Sequence, residues 1–315
     1  MRVALAGAGA FGAKHLDAID AIDGAEVVAV VDPVIDLAER LAAGRDDVVV
    51  TPDLDVVLDD PTIDAVILTT PTPVHAAQAI ACLDAGKHVE VEIPLCDVLA
   101  DGEAVLEAQQ RSGKVAMCGH TRRFNPSHQW VRRRASAGEF HLQHLDVQTL
   151  FFRRTNTNAL GEPRTWTDHL LWHHAAHTVD LFAHQTGSPI VDAHAMQGPV
   201  HPELGIAMDM SIQLRNEAGG LCTLALSFNN EGPFGTFFRY IGDSGTYLAR
   251  YDDLTDGNDE PIDVTAVDVS VNGIELQDRE FFGAIGEKRE PESGVADVLP
   301  CYRVLDQIER QLATS

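Results

Sequence analysis

Three histidines, His173, His174 and His177, fall within five positions of an otherwise apolar stretch flanked by Trp166 and Trp172. A helix over roughly residues 168–184 puts His173 and His177 one turn apart on one face, with Asp180 three residues beyond. Imidazole exchanges a proton near neutral pH, so such a pair suits general-base work. Two other readings of this spacing stay open. Histidines four apart can ligate zinc, but no glutamate stands between them and Asp180 alone offers a carboxylate, so no metal is expected. They could also be incidental on a polar helix face. Asp180 either orients His177 or faces the core.

Arginines crowd one section: Arg122, Arg123, Arg132, Arg133, Arg134, Arg153, Arg154 and Arg164. The whole chain carries a formal net charge of −25, which argues against a nucleic-acid partner and means that an anionic ligand needs a local cluster of cations. Arg132 to Arg134 follow a helical stretch and read as a solvated face. Arg122 and Arg123 come directly after a strand and His120, Arg153-Arg154 close another strand, and Arg164 precedes Trp166. Guanidinium matches carboxylate with two parallel hydrogen bonds, so Arg122, Arg123, Arg154 and Arg164 are candidates for an anionic small molecule. A cofactor phosphate could claim one of them.

A second constellation stands at the N-terminus. Arg2 to Ala6 is a short apolar strand that runs into Gly7-Ala8-Gly9-Ala10-Phe11-Gly12 and then a helix. Gly7 allows the tight turn, Gly9 lets the backbone approach a pyrophosphate, and Gly12 lets helix and strand pack closely. The helix N-terminus favours phosphate. Val27 to Val31 is a second strand ending on Asp32, where a carboxylate accepts from both ribose hydroxyls. This predicts NAD, preferred over NADP because a 2′-phosphate would face Asp32, with NADP use tolerated.

These residues need a frame. Strands at 48–50, 65–70, 88–92 and 115–119 alternate with helices at 53–58, 74–85 and 97–112, a βα pattern that makes residues 1–120 a parallel Rossmann sheet. Strands at 142–152, 208–214, 221–228 and 236–241 follow, with a hairpin turn at 216–220 and a last helix at 296–312. The fold class is α/β, with residues 121–315 forming a C-terminal α+β domain on a mostly antiparallel sheet. Five scattered cysteines without a C-x-x-C pair, an N-terminus that starts in a strand, and no run of membrane-spanning length predict a cytoplasmic protein with no membrane partner.

The order of the glycine motif, Thr70-Pro71 with His75, Glu92-x-Pro94, Arg122-Arg123-Phe124-Asn125-Pro126 and a late helix with His177 resembles the Gfo/Idh/MocA oxidoreductase family. The resemblance covers essentially the whole chain. It implies cofactor contacts from Gly7, Gly9, Ala10, Phe11, Gly12, Asp32, Thr70, Pro71, His75, Glu92, Pro94 and Trp166, and substrate contacts from Arg122, Arg123, Arg154, Arg164, His120 and His174. It sets His177 against the nicotinamide as base, with His173 positioning or relaying. The family's Glu-Lys-Pro reads Glu92-Ile93-Pro94, and its Asp-x-x-x-His reads His173-x-x-x-His177. Both changes weigh against a sugar or cyclitol substrate. They suit a branch, carried by segments 120–128, 161–169, 201–206 and 227–230, that oxidises the cyclic hemiacetal of a ring-cleaved dicarboxylate semialdehyde to 2-pyrone-4,6-dicarboxylate in protocatechuate 4,5-cleavage. The alternatives are a sugar or cyclitol dehydrogenase and a catalytically silent NAD-binding sensor. The family pairs its C-terminal sheets between subunits, so a homodimer or homotetramer is expected.

Overall fold

A computed structural model describes every residue except 158–160, 162, 165 and 315. Glu162 and Thr165 of segment 161–169 thus lie outside the described residues. The chain forms two compact units, Met1–His120 with Ile274–Leu299, and Thr121–Gly273 with the chain from Pro300 onward.

The first unit opens with β1 (Arg2–Ala6), α1 (Ala10–Asp20), β2 (Glu26–Val31), α2 (Ile35–Leu41), β3 (Val49–Thr51) and α3 (Leu54–Leu58). It continues with β4 (Ala65–Leu68), α4 (Thr72–Asp84), β5 (His88–Glu92), α5 (Leu99–Ser112) and β6 (Ala116–Gly119). All strands pair in parallel, in the order β3-β2-β1-β4-β5-β6. A parallel sheet is covered on both faces, which is why its strands are apolar runs: Val3, Leu5, Val30, Ile67 and Leu68 are fully buried. The order reverses between β1 and β4, and the crevice at the carboxyl ends there is where such sheets bind ligands.

The second unit starts with a 3₁₀ turn, Thr121–Arg123, then α6 (Pro126–Ser136) and β7 (Leu142–Leu150). A wide π turn, Leu170–Ala175, leads into α7 (Ala176–Thr186). Then come β8 (Ile190–Gln197), β9 (Asp209–Asn216), β10 (Leu221–Ser227), β11 (Gly235–Gly242), β12 (Gly245–Arg250) and β13 (Asp253–Asp256). They form one sheet, ordered β13-β12-β11-β7-β10-β9-β8, antiparallel except where β10 lies parallel to β7. The β9–β10 hairpin turns at 216–220 as expected, with the Asn216 side chain accepting from the Gly220 N–H at 2.7 Å. One sheet face is apolar, with Leu145, Val147, Ile212, Leu224 and Tyr240 fully buried.

Two helices finish the chain: α8 (Gly273–Glu287) and α9 (Val295–Ala313). The sequence assigns all of 121–315 to one domain, but the chain from Ile274 to Leu299 packs with the first unit. The reason lies in β5, which reads His-Val-Glu-Val-Glu and is buried from Val89 onward. Glu90 and Glu92 need polar partners inside a covered sheet. Among them is Gln277 on α8, whose Nε2 donates to Glu90 at 2.8 Å and to Glu92 at 3.1 Å. Among the described residues no helix is long and apolar enough to cross a membrane.

Inside the second unit, Arg123 (5% exposed) donates through Nε and Nη2 to Asp180 (2% exposed) at 2.7 and 2.5 Å. Breaking a buried pair from one side costs about 3–5 kcal/mol, because the other charge is left in a poorly solvating interior. Asp180→Asn is therefore expected to lower Tm by on the order of 10 °C. A calorimetric scan showing a change below about 2 °C would contradict that role.

Candidate active site

In the first unit, sterics shape the glycine loop. Gly7 has φ +104°, and a Cβ there would stand 2.6 Å from the Thr69 backbone. A Cβ on Gly12 would stand 2.1 Å from the Gly7 carbonyl. Gly9 is different: φ is −80°, and a Cβ there meets nothing within 4 Å. Bareness at Gly9 thus serves no contact within the protein; it leaves an open approach to the start of α1, as a pyrophosphate requires. Asp32 is fixed from both sides, Oδ2 accepting from the Ala8 N–H and Oδ1 from the Val34 N–H, each at 2.8 Å. Ala10 and Phe11 begin α1, and Phe11 is half exposed with the Lys14 ammonium 4.7 Å above its ring. These residues fit a dinucleotide.

On the other side of the strand-order reversal, Pro71 caps α4 and His75 is buried. The His75 ring bridges two loops, Nδ1 2.8 Å from the Pro94 carbonyl and Nε2 2.6 Å from the Thr70 carbonyl. Burial pushes its pKa down. Glu92 faces inward: Oε1 lies 3.1 Å from His15 Nε2 on α1, and His15 Nδ1 lies 2.8 Å from Asp278 on α8. His15, Glu90 and Asp278 are also the described residues whose ligand atoms gather as a metal site would, within 4.8 Å. Both His15 nitrogens already face carboxylates, so the ring donates protons and has no lone pair to give. His120, 1% exposed, directly follows β6.

The second unit holds the histidines. From Leu170 to Phe182 every residue is buried except His173, His174 and His177. Over that stretch the three imidazoles are the side chains left open, and Ala183, His184 and Thr186 open again in the last turn of α7. The π turn before α7 widens the backbone where His173 and His174 sit, a distortion frequent at functional sites. His173 stacks on Trp166, ring centroids 5.5 Å apart, and its Nδ1 accepts from the His169 N–H at 3.2 Å. An accepting Nδ1 leaves the proton on Nε2, so His173 is a donor. His174 lies against Phe151 and Phe228, with Nε2 3.4 Å from Asp168.

Asp168 is the hub that the sequence did not disclose. Arg153 grips it through both terminal nitrogens, and Arg164 Nη1 donates to it at 2.8 Å. Burial pushes the Asp168 carboxyl up, yet hydrogen bonds from His174 and Arg153 outweigh it and hold the group far below the usual range. Two guanidiniums around one carboxylate leave an excess of positive charge. Arg154 lies 4.2 Å above the Phe152 ring and donates to the Arg153 and Phe228 carbonyls. Arg122 lies 5.0 Å from the Tyr251 ring centroid and donates to Asn125 at 3.2 Å. Arg123 is engaged with Asp180, because a guanidinium this deep needs a counter-charge. The side chain of Arg153 and that of Asp168 were missed. Sequence shows the Arg153-Arg154 pair but not which member turns inward.

A six-stranded parallel sheet with a glycine cradle and an aspartate after its second strand, joined in one chain to an α+β unit rich in histidine and arginine, is the make-up of a nicotinamide-dependent dehydrogenase. Residues 1–120 match the model for the oxidoreductase family, NAD-binding Rossmann fold, and residues 126–268 that for bacterial oxidoreductases, C-terminal. The chain belongs to the Gfo/Idh/MocA oxidoreductase family. It is 64% identical, over 99% of both chains, to 4-carboxy-2-hydroxymuconate-6-semialdehyde dehydrogenase of Sphingobium sp.. An inositol 2-dehydrogenase of Rhodococcus jostii is 31% identical over 64% of this chain and 54% of its own. The solved UDP-N-acetylglucosamine 3-dehydrogenase of Acidithiobacillus ferrooxidans shares the fold, with TM-score 0.83 and 22% identity over 99% of this chain and 97% of that one.

The two glycines at the start of α1 separate binding from folding. Gly9→Ala should leave Tm within about 2 °C while weakening NAD binding at least tenfold. Gly12→Ala should lower both, since its Cβ collides with backbone. Calorimetric melting with a fluorescence titration of NAD checks this, and unchanged NAD affinity in Gly9→Ala would refute the assignment of that opening.

Proposed function

We propose that this protein oxidises the cyclic hemiacetal of 4-carboxy-2-hydroxymuconate-6-semialdehyde to 2-pyrone-4,6-dicarboxylate, in the degradation of protocatechuate by 4,5-cleavage. The observation that carries this is the 64% identity across the full chain to the Sphingobium enzyme of that name. The Asp168-centred arginines support it, because the product bears two carboxylates. The loss of the family lysine at Ile93 fits as well: a hemiacetal hydroxyl is more acidic than a secondary alcohol and needs less help to ionise.

NAD(P), when bound, supplies the hydride acceptor. His177 is the base: it takes the proton of the hemiacetal hydroxyl as the carbon–hydrogen bond breaks, so that a lactone carbonyl forms. His173, with its proton on Nε2, donates to the substrate oxygen and holds it toward His177. Arg164 and Arg153, kept apart and aimed by Asp168, receive a carboxylate, with Arg154, Arg122, His120 and His174 as further contacts. Asp32 favours NAD, since a 2′-phosphate would approach a carboxylate already fixed by two N–H groups. The enzyme works in the cytoplasm, which its buried thiols suit, as a homodimer or homotetramer. It pairs through the outer face of the seven-stranded sheet, where Phe237, Ile241 and Leu248 line an open depression.

The direct assay is to mix purified protein with freshly ring-opened protocatechuate and NAD or NADP and to follow nicotinamide absorbance. Turnover is expected with both, with a higher kcat/KM for NAD. A kcat/KM at least tenfold higher for NADP would refute the role of Asp32, and no turnover with either would refute the substrate. His177→Asn should lower kcat by roughly 10²–10⁴, the usual contribution of a general base, with NAD affinity near wild type. Retention of more than about a third of kcat, with chemistry rate-limiting, would move the base to another histidine. Arg164→Met should raise KM for the dicarboxylate more than it changes NAD binding, and an unchanged KM would remove Arg164 from the anion site.

A further inference from the structure

The first unit seals an uneven set of charges beneath the carboxyl end of β5. His15, Glu90, Gln277 and Asp278 have no solvent exposure, and Glu92 has 6%. The His15 ring is held between two carboxylates, Nδ1 2.8 Å from Asp278 and Nε2 3.1 Å from Glu92. A ring nitrogen facing a carboxylate donates to it, so His15 is an imidazolium. Glu90 accepts from Gln277, and its other oxygen, closed to water, has no hydrogen-bond partner among the described residues. An ionised carboxylate is not kept in such a place. Burial, with the charge of Asp278 behind it, pushes the Glu90 carboxyl well up, while the bond from His15 holds Glu92 down against its own burial. Glu90 thus keeps its proton. Burial pushes the Asp278 carboxyl up as well, opposed by the charge and the hydrogen bond of His15. With Glu90 neutral, a protonated His15 ring lies between the Glu92 and Asp278 carboxylates, and the sum is one negative charge. Moving the shared proton from His15 to Asp278 leaves that sum unchanged.

The charge sits on a particular half of the sheet. Asp32 directly follows β2, on the half made of β1, β2 and β3, which takes the adenosine side of a dinucleotide. Glu92 ends β5 on the other half, which takes the nicotinamide side. The next position, a lysine in the family pattern, is Ile93, so the chain supplies no cation there. An oxidised nicotinamide ring is a cation, and the reduced ring is neutral.

We propose that the His15–Glu92–Asp278 cluster is a fixed buried anion that makes the protein bind oxidised cofactor in preference to reduced cofactor, with His15 and Asp278 as positioning residues for Glu92. This favours the oxidative direction and loosens the reduced product. The reading is independent of the organic substrate.

The test titrates the protein with NAD⁺ and with NADH and compares the ratio of the two Kd values. Asp278→Asn and Glu92→Gln each remove the net charge, and each should shift the ratio toward NADH by roughly fivefold or more. Glu90→Gln replaces a neutral acid by a neutral amide, and the ratio should stay within about twofold of wild type. A merely structural role would weaken both cofactors together. Equal loss of NAD⁺ and NADH in the two charge-removing variants therefore overturns the proposal, as does a shift in Glu90→Gln as large as theirs. Circular dichroism identifies folded variants, and either charge-removing variant alone carries the comparison. The wild-type ratio is itself a reading: NAD⁺ should bind at least as tightly as NADH, and a preference for NADH above about tenfold overturns the proposal without any variant.

Discussion

Two glutamates on a strand covered from both sides impose the condition that much of the first unit answers to. A parallel strand buried on both faces ordinarily carries only apolar side chains, because an ionised carboxylate loses its hydration there. β5 breaks that rule at Glu90 and Glu92, and neighbouring elements meet the demand. The helix after the glycine loop offers His15 on the side it buries, where a leucine or alanine is the common choice. The chain returns after Gly273 to bring Gln277 and Asp278. β6 ends on Gly119, where a Cβ would fall 2.6 Å from Glu92 Oε1. One polar strand thus explains a histidine, a glycine, a helix and the discontinuity of the unit.

The second unit treats charge in two ways. Arg123 and Asp180 face each other as a buried pair of opposite charges. Around Asp168 the count is uneven, and the remaining positive charge lies at partly exposed guanidiniums supported by aromatic faces. Asp168 holds the arginines apart and aims them, which leaves less side-chain freedom to be lost when an anion arrives.

What the sequence disclosed follows the range of the interactions involved. The glycine loop, Asp32 and the β-α alternation are legible because each rests on neighbours within about thirty residues. The three histidines are legible because they crowd within five positions of a mostly apolar stretch. Long-range pairing is not legible. Nothing local distinguishes Arg123, turned to Asp180, from Arg122 beside it, or shows that Arg153 closes on Asp168. α8 escaped for a related reason: Gln277 and Asp278 lie on its buried side, which interrupts the apolar stripe that marks a helix packed on a sheet. β8 at the sheet edge has one fully buried residue in eight, too few for the alternation of a covered strand.

The late return of the chain has a consequence for how the protein is made. Strands β1 to β6 leave the ribosome first, and His15 can meet Glu92 at once, yet Glu90 and the other side of the His15 ring wait for groups roughly 180 residues downstream of β5. During translation at roughly 5–20 residues per second, that interval lasts on the order of ten to forty seconds. Throughout it, Glu90 and His15 lack the partners that Gln277 and Asp278 give them in the folded unit. Vectorial, unit-by-unit maturation from the N-terminus is therefore denied to this chain. Completion of the dinucleotide fold is deferred until synthesis is nearly done, and that of the second unit, which takes in the chain from Pro300 onward, later still.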